Sequence, residues 1–225
     1  MTTTAQTTTY PLRAVRWAFV ALVGAILADL AETLVDPANS GKTTAVYAAA
    51  ANHPTRLIVC AVLLLLTSLI VPAVWGLTRP LTGRGRVLGR LAAVLALMGA
   101  LGHAALALLY LVWIQMATGN ADREQMLALI DRINNAGSTA IMFPLIIAFP
   151  LALLALFGAL VRARVASRWV LVPVVLAPLS AIFVPIVVAS TGGALVCLLV
   201  ATAMVVVGLR DRSRGSKVAA AVVPA

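Results

Sequence analysis

The chain has 225 residues, of which 62% are hydrophobic and 11% are charged, and its net charge is +10. Soluble domains are about 45–50% apolar, so this composition, with a mean hydropathy of +1.05, predicts an integral membrane protein. The positive charge would suit a nucleic-acid-binding protein, but the basic residues lie at the ends of apolar runs. We therefore expect the lipid bilayer, and no nucleic acid, as a partner of this chain.

The apolar runs predict an all-α, polytopic membrane protein with six transmembrane helices, since each span needs about 20 residues. The runs cover approximately residues 14–35, 56–77, 91–116, 138–160, 169–188 and 193–209. Thirteen basic residues flank them on one side and four on the other, so the positive-inside rule predicts that the N and C termini are both cytoplasmic. We expect a multi-pass protein of the bacterial cytoplasmic (inner) membrane.

The predicted organisation is a disordered Thr-rich tail at 1–12, a six-helix transmembrane domain at 13–210 and a basic cytoplasmic tail at 211–225. Two outer loops differ from simple turns. Residues 43–51 could form a short surface helix, and apolar residues recur at helical spacing among the charges of 118–137. The second pattern predicts an amphipathic helix in the plane of the interface, which would cover the outer side of the bundle.

Asp29 and Glu32 lie near the outer end of the first predicted span and share one helix face at spacing i, i+3. If residue 25 is the middle of the span, they lie about 6 Å and about 10 Å toward the outer surface. An acid at membrane depth costs about 2.5–3.5 kcal/mol. Either Glu32 reaches the headgroups while Asp29 pairs with a polar neighbour or stays protonated, or the two form a proton donor and base that face the bundle. Asp36, which precedes a proline, is expected to mark only the helix end.

His103 lies at the midpoint of the third predicted span, on one helix face with Gly99, Leu106, Tyr110 and Trp113. That polar and aromatic face is expected to point inward. Two hypotheses remain open for the histidine: a structural group that donates to a carbonyl of a neighbouring helix, and an acid or base of a functional site.

Phe143 and Phe149 each precede a proline in the fourth predicted span. Prolines free backbone carbonyls, which membrane helices tolerate where they line a cavity or are satisfied by neighbours. We expect either a hollow outer half with Tyr110, Trp113, Phe143 and Phe149 in its wall as substrate-binding residues, or simple kinking for packing.

We predict no cofactor and no metal. The second histidine, His53, lies in an outer loop, and Cys60 and Cys197 fall inside apolar runs, so ligands for haem or a metal centre are lacking. Walker, GxSxG and HExxH motifs are also missing from the sequence, which leaves nucleotide hydrolysis and the common hydrolase chemistries without support.

The acid-bearing end of the first span, the segment 52–56 with the sequence NHPTR, and Gly102-His103 together resemble small six-span bacterial membrane proteins of unknown function. By residue type, Asp29, Glu32, Tyr110 and Trp113 are also similar to the site of small integral-membrane terpene cyclases. That resemblance implies an intramembrane acid that protonates an alkene or epoxide and aromatic faces that stabilise the carbocation.

Three functions follow as hypotheses. The first is a membrane-embedded enzyme on a lipophilic, isoprenoid-type substrate, with Asp29 or Glu32 as proton donor and His103 as acid/base or orienting group. Aromatic rings can stabilise a cation in a dry pocket. The second is a carrier in which the same acids relay protons or bind a cationic solute. The third is a non-catalytic subunit whose polar groups join it to a second copy or to another membrane protein.

Overall fold

The structure is a computed structural model that describes residues 12–38, 42–119, 122–135, 137–183 and 196–207. Within these ranges the chain is helical and has no β-strand. The basic tail at 211–225 and all but the last residue of the Thr-rich tail lie outside the described residues.

The helices in chain order are α1 (Leu12–Val35), α2 (Thr43–Asn52), α3 (Pro54–Leu66), α4 (Ile70–Thr78), α5 (Arg86–Thr118), α6 (Arg123–Asn135), α7 (Gly137–Arg162), α8 (Leu171–Phe183) and α9 (Val196–Val207). A 3₁₀ turn at Thr67–Leu69 joins α3 to α4 without interrupting their common direction.

Four segments are long enough and apolar enough to cross a membrane: Val15–Val35, Pro54–Thr78, Arg86–Thr118 and Ala140–Arg162. They coincide with the first four predicted spans, so the expectation of a helical protein with membrane-length segments is confirmed. The described parts of α8 and α9 fall in the class of shorter apolar helices. A fifth and a sixth span therefore stay a prediction.

Successive long helices run in opposite directions, so their ends form two groups. We call the end with the start of α1, the turn 79–86 and the turn 162–168 the arginine-rich end. We call the opposite end, which carries the end of α1 together with α2 and α6, the acidic end. An apolar core fills the bundle near the arginine-rich end, and a second apolar cluster lies beneath α2 and α6.

Helices α2 and α6 lie over the acidic end, as the sequence predicts for the two outer loops. Ile130 of the amphipathic α6 is 1% exposed, and it belongs to the second apolar cluster together with residues of α2, α3 and α5. Two contacts between polar side chains also join α2 to α6. Thr43 donates to Asp131 at 3.4 Å, and the Arg123 guanidinium lies 5.7 Å from the centre of the Tyr47 ring.

Two glycines allow α5 and α7 to approach closely. A Cβ atom added at Gly99 would lie 2.8 Å from the backbone of Phe149, and one added at Gly102 would lie 2.8 Å from the Leu145 carbonyl carbon. Small residues of this kind let membrane helices pack backbone to backbone. This crossing fixes the position of the middle of α5, where His103 lies.

We expect Gly99→Ala and Gly102→Ala to destabilise the bundle by about 1–3 kcal/mol each, because the added methyl group meets backbone atoms that cannot rotate away. The measurement is thermal unfolding in detergent, followed with a thiol-reactive dye that labels the buried Cys60. Gly158→Ala in α7 is the matched control, since the nearest atom to its added Cβ is 4.0 Å away. Equal melting of all three variants would contradict the proposed close contact.

Candidate functional site

The site lies between α1 and α5 toward the acidic end. Helix α1 packs against α3 and α4, and α5 packs against α3, α4 and α7. Polar side chains on the facing sides of α1 and α5 reach across the space between them. The helical spacing of Asp29, Glu32 and Asp36 aligns the three carboxyls on one face of α1, while His103 and Tyr110 lie two turns apart on α5.

The deeper contact joins Asp29 to His103. The Nε2 atom of His103 lies 3.5 Å from Asp29 Oδ1, within ion-pair distance. The other ring nitrogen, Nδ1, lies 2.8 Å from the carbonyl oxygen of Gly99, one turn earlier in α5. The histidine therefore bonds to a carbonyl of its own helix, where the sequence had suggested a carbonyl of a neighbouring helix.

The outer contact is a hydroxyl held between two carboxyls. Tyr110 Oη lies 3.1 Å from Glu32 Oε1 and 3.1 Å from Asp36 Oδ2. Glu32 is 9% exposed and Tyr110 is 5% exposed. The other oxygen of Asp36 accepts a bond of 2.8 Å from the backbone N–H of Ala38, which fixes this carboxyl just beyond the last turn of α1.

Asp36 is thus more than the boundary that the sequence suggested. Its carboxyl belongs to the same network as Glu32, four residues earlier. The signal was present in the sequence, because positions 29, 32 and 36 follow the i, i+3, i+7 pattern of a single helix face. Because Asp36 is followed by a proline, and such a pair is typical of a helix end, the sequence pattern favoured the boundary for Asp36 instead of this face.

Aromatic rings line the α5 side of the network. The rings of Tyr110 and Trp113 are 5.3 Å apart with a tilt of 33°, and the Phe149 ring lies 5.0 Å from that of His103. Trp113 is 5% exposed, and its Nε1 is a buried donor without a hydrogen-bond partner among the described residues. Of the predicted wall residues, the structure brings Tyr110, Trp113 and Phe149 to the site.

Phe143 is the one predicted site residue that the structure places elsewhere, because it is 61% exposed on the outside of α7. Asp29, Glu32, His103, Tyr110, Trp113 and Phe149 come together, and Asp36 joins them.

Counting hydrogen-bond donors indicates that the network holds protons. A carboxylate only accepts hydrogen bonds, and a tyrosine hydroxyl has one proton to donate. Tyr110 therefore either shares its one proton between the two carboxyls, or makes two full hydrogen bonds because Glu32 or Asp36 is protonated and donates back to the hydroxyl oxygen. In the same way, Nδ1 of His103 must donate to the Gly99 carbonyl, so a favourable contact with Asp29 needs a proton on Nε2 or on the carboxyl.

The network reaches the acidic end and stops near the middle of the bundle. Asp36 is partly exposed just beyond the last turn of α1, and on the far side of His103 the facing positions are apolar, with Ala25 and Ala96 both fully buried. The other buried polar side chains in the described ranges are Thr67 and Thr202. Both hydroxyls donate to carbonyls of their own helix segment, at 2.6 and 2.8 Å.

Within the described part of the chain, no group of three His, Cys, Asp or Glu side chains is placed to hold a metal ion. Comparisons of the chain with protein-family models, with curated proteins and with solved structures give no match. The class of protein is therefore defined by fold and site alone: a helical bundle with membrane-length apolar helices and a buried acid–histidine–tyrosine network.

We expect Tyr110→Phe to destabilise the protein by about 1–3 kcal/mol, because Glu32 and Asp36 lose the donor between them while they stay partly or fully buried. Thermal unfolding in detergent measures the change. Tyr47→Phe is the matched control, since the Tyr47 ring faces Arg123 on the surface of α2. A Tyr110→Phe protein that melts like the wild type would show that the hydroxyl contributes nothing to the network.

Proposed function

We propose that this chain is a proton-handling membrane protein, a carrier that binds protons at one side of the membrane and releases them at the other. The single observation that supports this proposal is the line of ionisable side chains from Asp36 through Tyr110 and Glu32 to Asp29 and His103. Groups that must share protons to satisfy their hydrogen bonds are suited to bind, pass on and release a proton.

The partners of the acids favour proton transfer over direct acid catalysis. A catalytic donor must point its proton at the substrate. Here each carboxyl of α1 already faces a protein group: Asp29 faces His103, while Glu32 and Asp36 face Tyr110. Two such groups, Tyr110 with Glu32 and Asp36, and His103 with Asp29, lie one helical turn apart along α1, and this supports proton transfer between protein side chains.

The proposal includes the predicted topology of six spans with both termini in the cytoplasm of a bacterial cell. With the arginine-rich end inside, the acidic end faces outward, and Asp36 is the point where a proton enters. The apolar contacts beyond His103 close the inward path in the described conformation. Release to the other side would then require α1 to move relative to α5, as alternating access does in carriers.

We expect proteoliposomes with the wild-type protein to take up protons when the outside is made acidic and the membrane potential is clamped. Glu32→Gln and Asp29→Asn should reduce uptake to the level of protein-free vesicles, because each removes one proton-binding carboxyl from the line. A pH-sensitive dye trapped inside the vesicles measures the rate.

Glu124→Gln is the matched control for these variants, since Glu124 is an exposed acid on α6, and it should leave uptake unchanged. Equal uptake by the wild type and Glu32→Gln would refute the proton-handling function. If Glu32→Gln instead lowers the yield or abolishes association with a second copy or another membrane protein, the result would favour the non-catalytic subunit.

A second candidate function is the expected enzyme on a lipophilic, isoprenoid-type substrate, and the unpartnered indole of Trp113 favours it. A buried donor without an acceptor costs about 1–3 kcal/mol, and an oxygen atom of a bound lipophilic molecule would satisfy it. Tyr110 lies beside that indole, so a molecule bound there would contact both an aromatic face and the acid network.

For this second candidate, we expect mass spectrometry of the protein purified in mild detergent to find an oxygen-bearing lipophilic compound in stoichiometric amount. Trp113→Phe should weaken its retention about threefold to tenfold, which corresponds to one lost hydrogen bond. Trp75→Phe, at a tryptophan that is 62% exposed, is the control and should retain the compound. Recovery of bulk phospholipid alone would contradict the enzyme.

A further inference from the structure

The arginine-rich end presents two basic turns that touch each other. The turn between α4 and α5, together with the start of α5, carries Arg79, Arg84, Arg86 and Arg90, and the end of α7 with the turn after it carries Arg162, Arg164 and Arg168. Gly85 joins the two turns, because a Cβ atom added there would lie 2.7 Å from Ala163 Cβ and 2.8 Å from the Ala159 carbonyl oxygen. Seven arginines from distant parts of the sequence therefore share one end of the bundle.

No carboxylate of the described residues lies at this end. The acids in the described ranges lie between the middle of α1 and the opposite end of the bundle: Asp29, Glu32, Asp36, Asp122, Glu124 and Asp131. Arg79, Arg86, Arg90 and Arg168 are exposed. The guanidinium groups of these four arginines are therefore accessible to whatever lies next to this end of the bundle.

Exposed tryptophans at the same end of the bundle indicate that this surface lies at a membrane boundary. Trp17, Trp75 and Trp169 lie at the arginine-rich end and are 75%, 62% and 63% exposed, whereas Trp113 at the acidic end is buried. Exposed tryptophan side chains are enriched where a membrane protein meets the headgroups. The Arg168 guanidinium lies 5.9 Å from the centre of the Trp169 ring, so the two features are in contact.

We propose that the two arginine-bearing turns form a binding surface for the headgroups of anionic phospholipids. Arginines in a cluster next to a transmembrane helix recognise the phosphate of acidic lipids. A lipid suits this surface better than a free phosphate does, because exposed apolar side chains such as Val87 stand beside the arginines and can contact the acyl chains. The proposal does not depend on the proton-handling function.

The test is native mass spectrometry of the detergent-solubilised full chain with phosphatidylglycerol or phosphatidylcholine at equal concentrations. We expect the wild type to bind phosphatidylglycerol more tightly. Replacing Arg86 and Arg90 together by Gln should weaken that binding by about fivefold for each arginine removed. Helix α5 should persist in this variant, since Arg86 is the first residue of the helix, where a positive charge interacts unfavourably with the helix dipole, and Arg90 is exposed.

The matched control replaces Arg56 and Arg132, two exposed arginines at the acidic end, by Gln, which removes the same charge and should leave phosphatidylglycerol binding unchanged. A further measurement uses the wild type alone at high salt. In 0.5 M NaCl the Debye length falls to roughly 4 Å, so phosphatidylglycerol should bind more weakly. Three outcomes would overturn the proposal: equal binding of the two lipids, an equal loss in the control variant, or displacement of phosphatidylglycerol by millimolar inorganic phosphate.

Discussion

The acidic half of this protein depends on one constraint: carboxyls inside an apolar bundle must find hydrogen-bond partners. Water would supply those partners in a soluble protein, and hydrocarbon cannot. Helix α1 carries three carboxyls on one face, and α5 offers them a histidine and a tyrosine. Polar contacts therefore join α1 to α5, while an apolar core shared by the long helices, α1 included, fills the bundle nearer the arginine-rich end.

Gly99 contributes both to the packing of α5 against α7 and to the hydrogen bonding of His103. The absence of a side chain lets α5 touch the backbone of Phe149 in α7, and the carbonyl of the same residue bonds to Nδ1 of His103. That bond requires a hydrogen on Nδ1 and so directs Nε2 toward Asp29. A change in the crossing of α5 and α7 would therefore also change the orientation of the histidine. The close contact between α5 and α7 thus also positions His103 for its contact with Asp29.

Local patterns predicted the first four long helices, the amphipathic α6 and the inward face of α5, because hydropathy and helical spacing are properties of short segments. They could not tell which helix supplies the partner of His103, since that depends on the packing of distant parts of the chain. The two phenylalanines show the difference. Phe143 and Phe149 both precede a proline, yet six residues of helix separate their directions by about 120°, and only Phe149 lies against His103.

The charge asymmetry of the chain connects the two ends of the molecule. Arginines at one end of a membrane protein favour the cytoplasmic side for that end, so the same residues that would hold anionic headgroups would also determine which side Asp36 faces. In the described ranges the carboxyls lie away from the arginine-rich end and its guanidinium groups. Their separation leaves the carboxyls free to pair with His103 and Tyr110. Under the proposed topology a proton would enter from outside, because the half of the bundle that would face the cytoplasm is closed by apolar packing around Ala25 and Ala96.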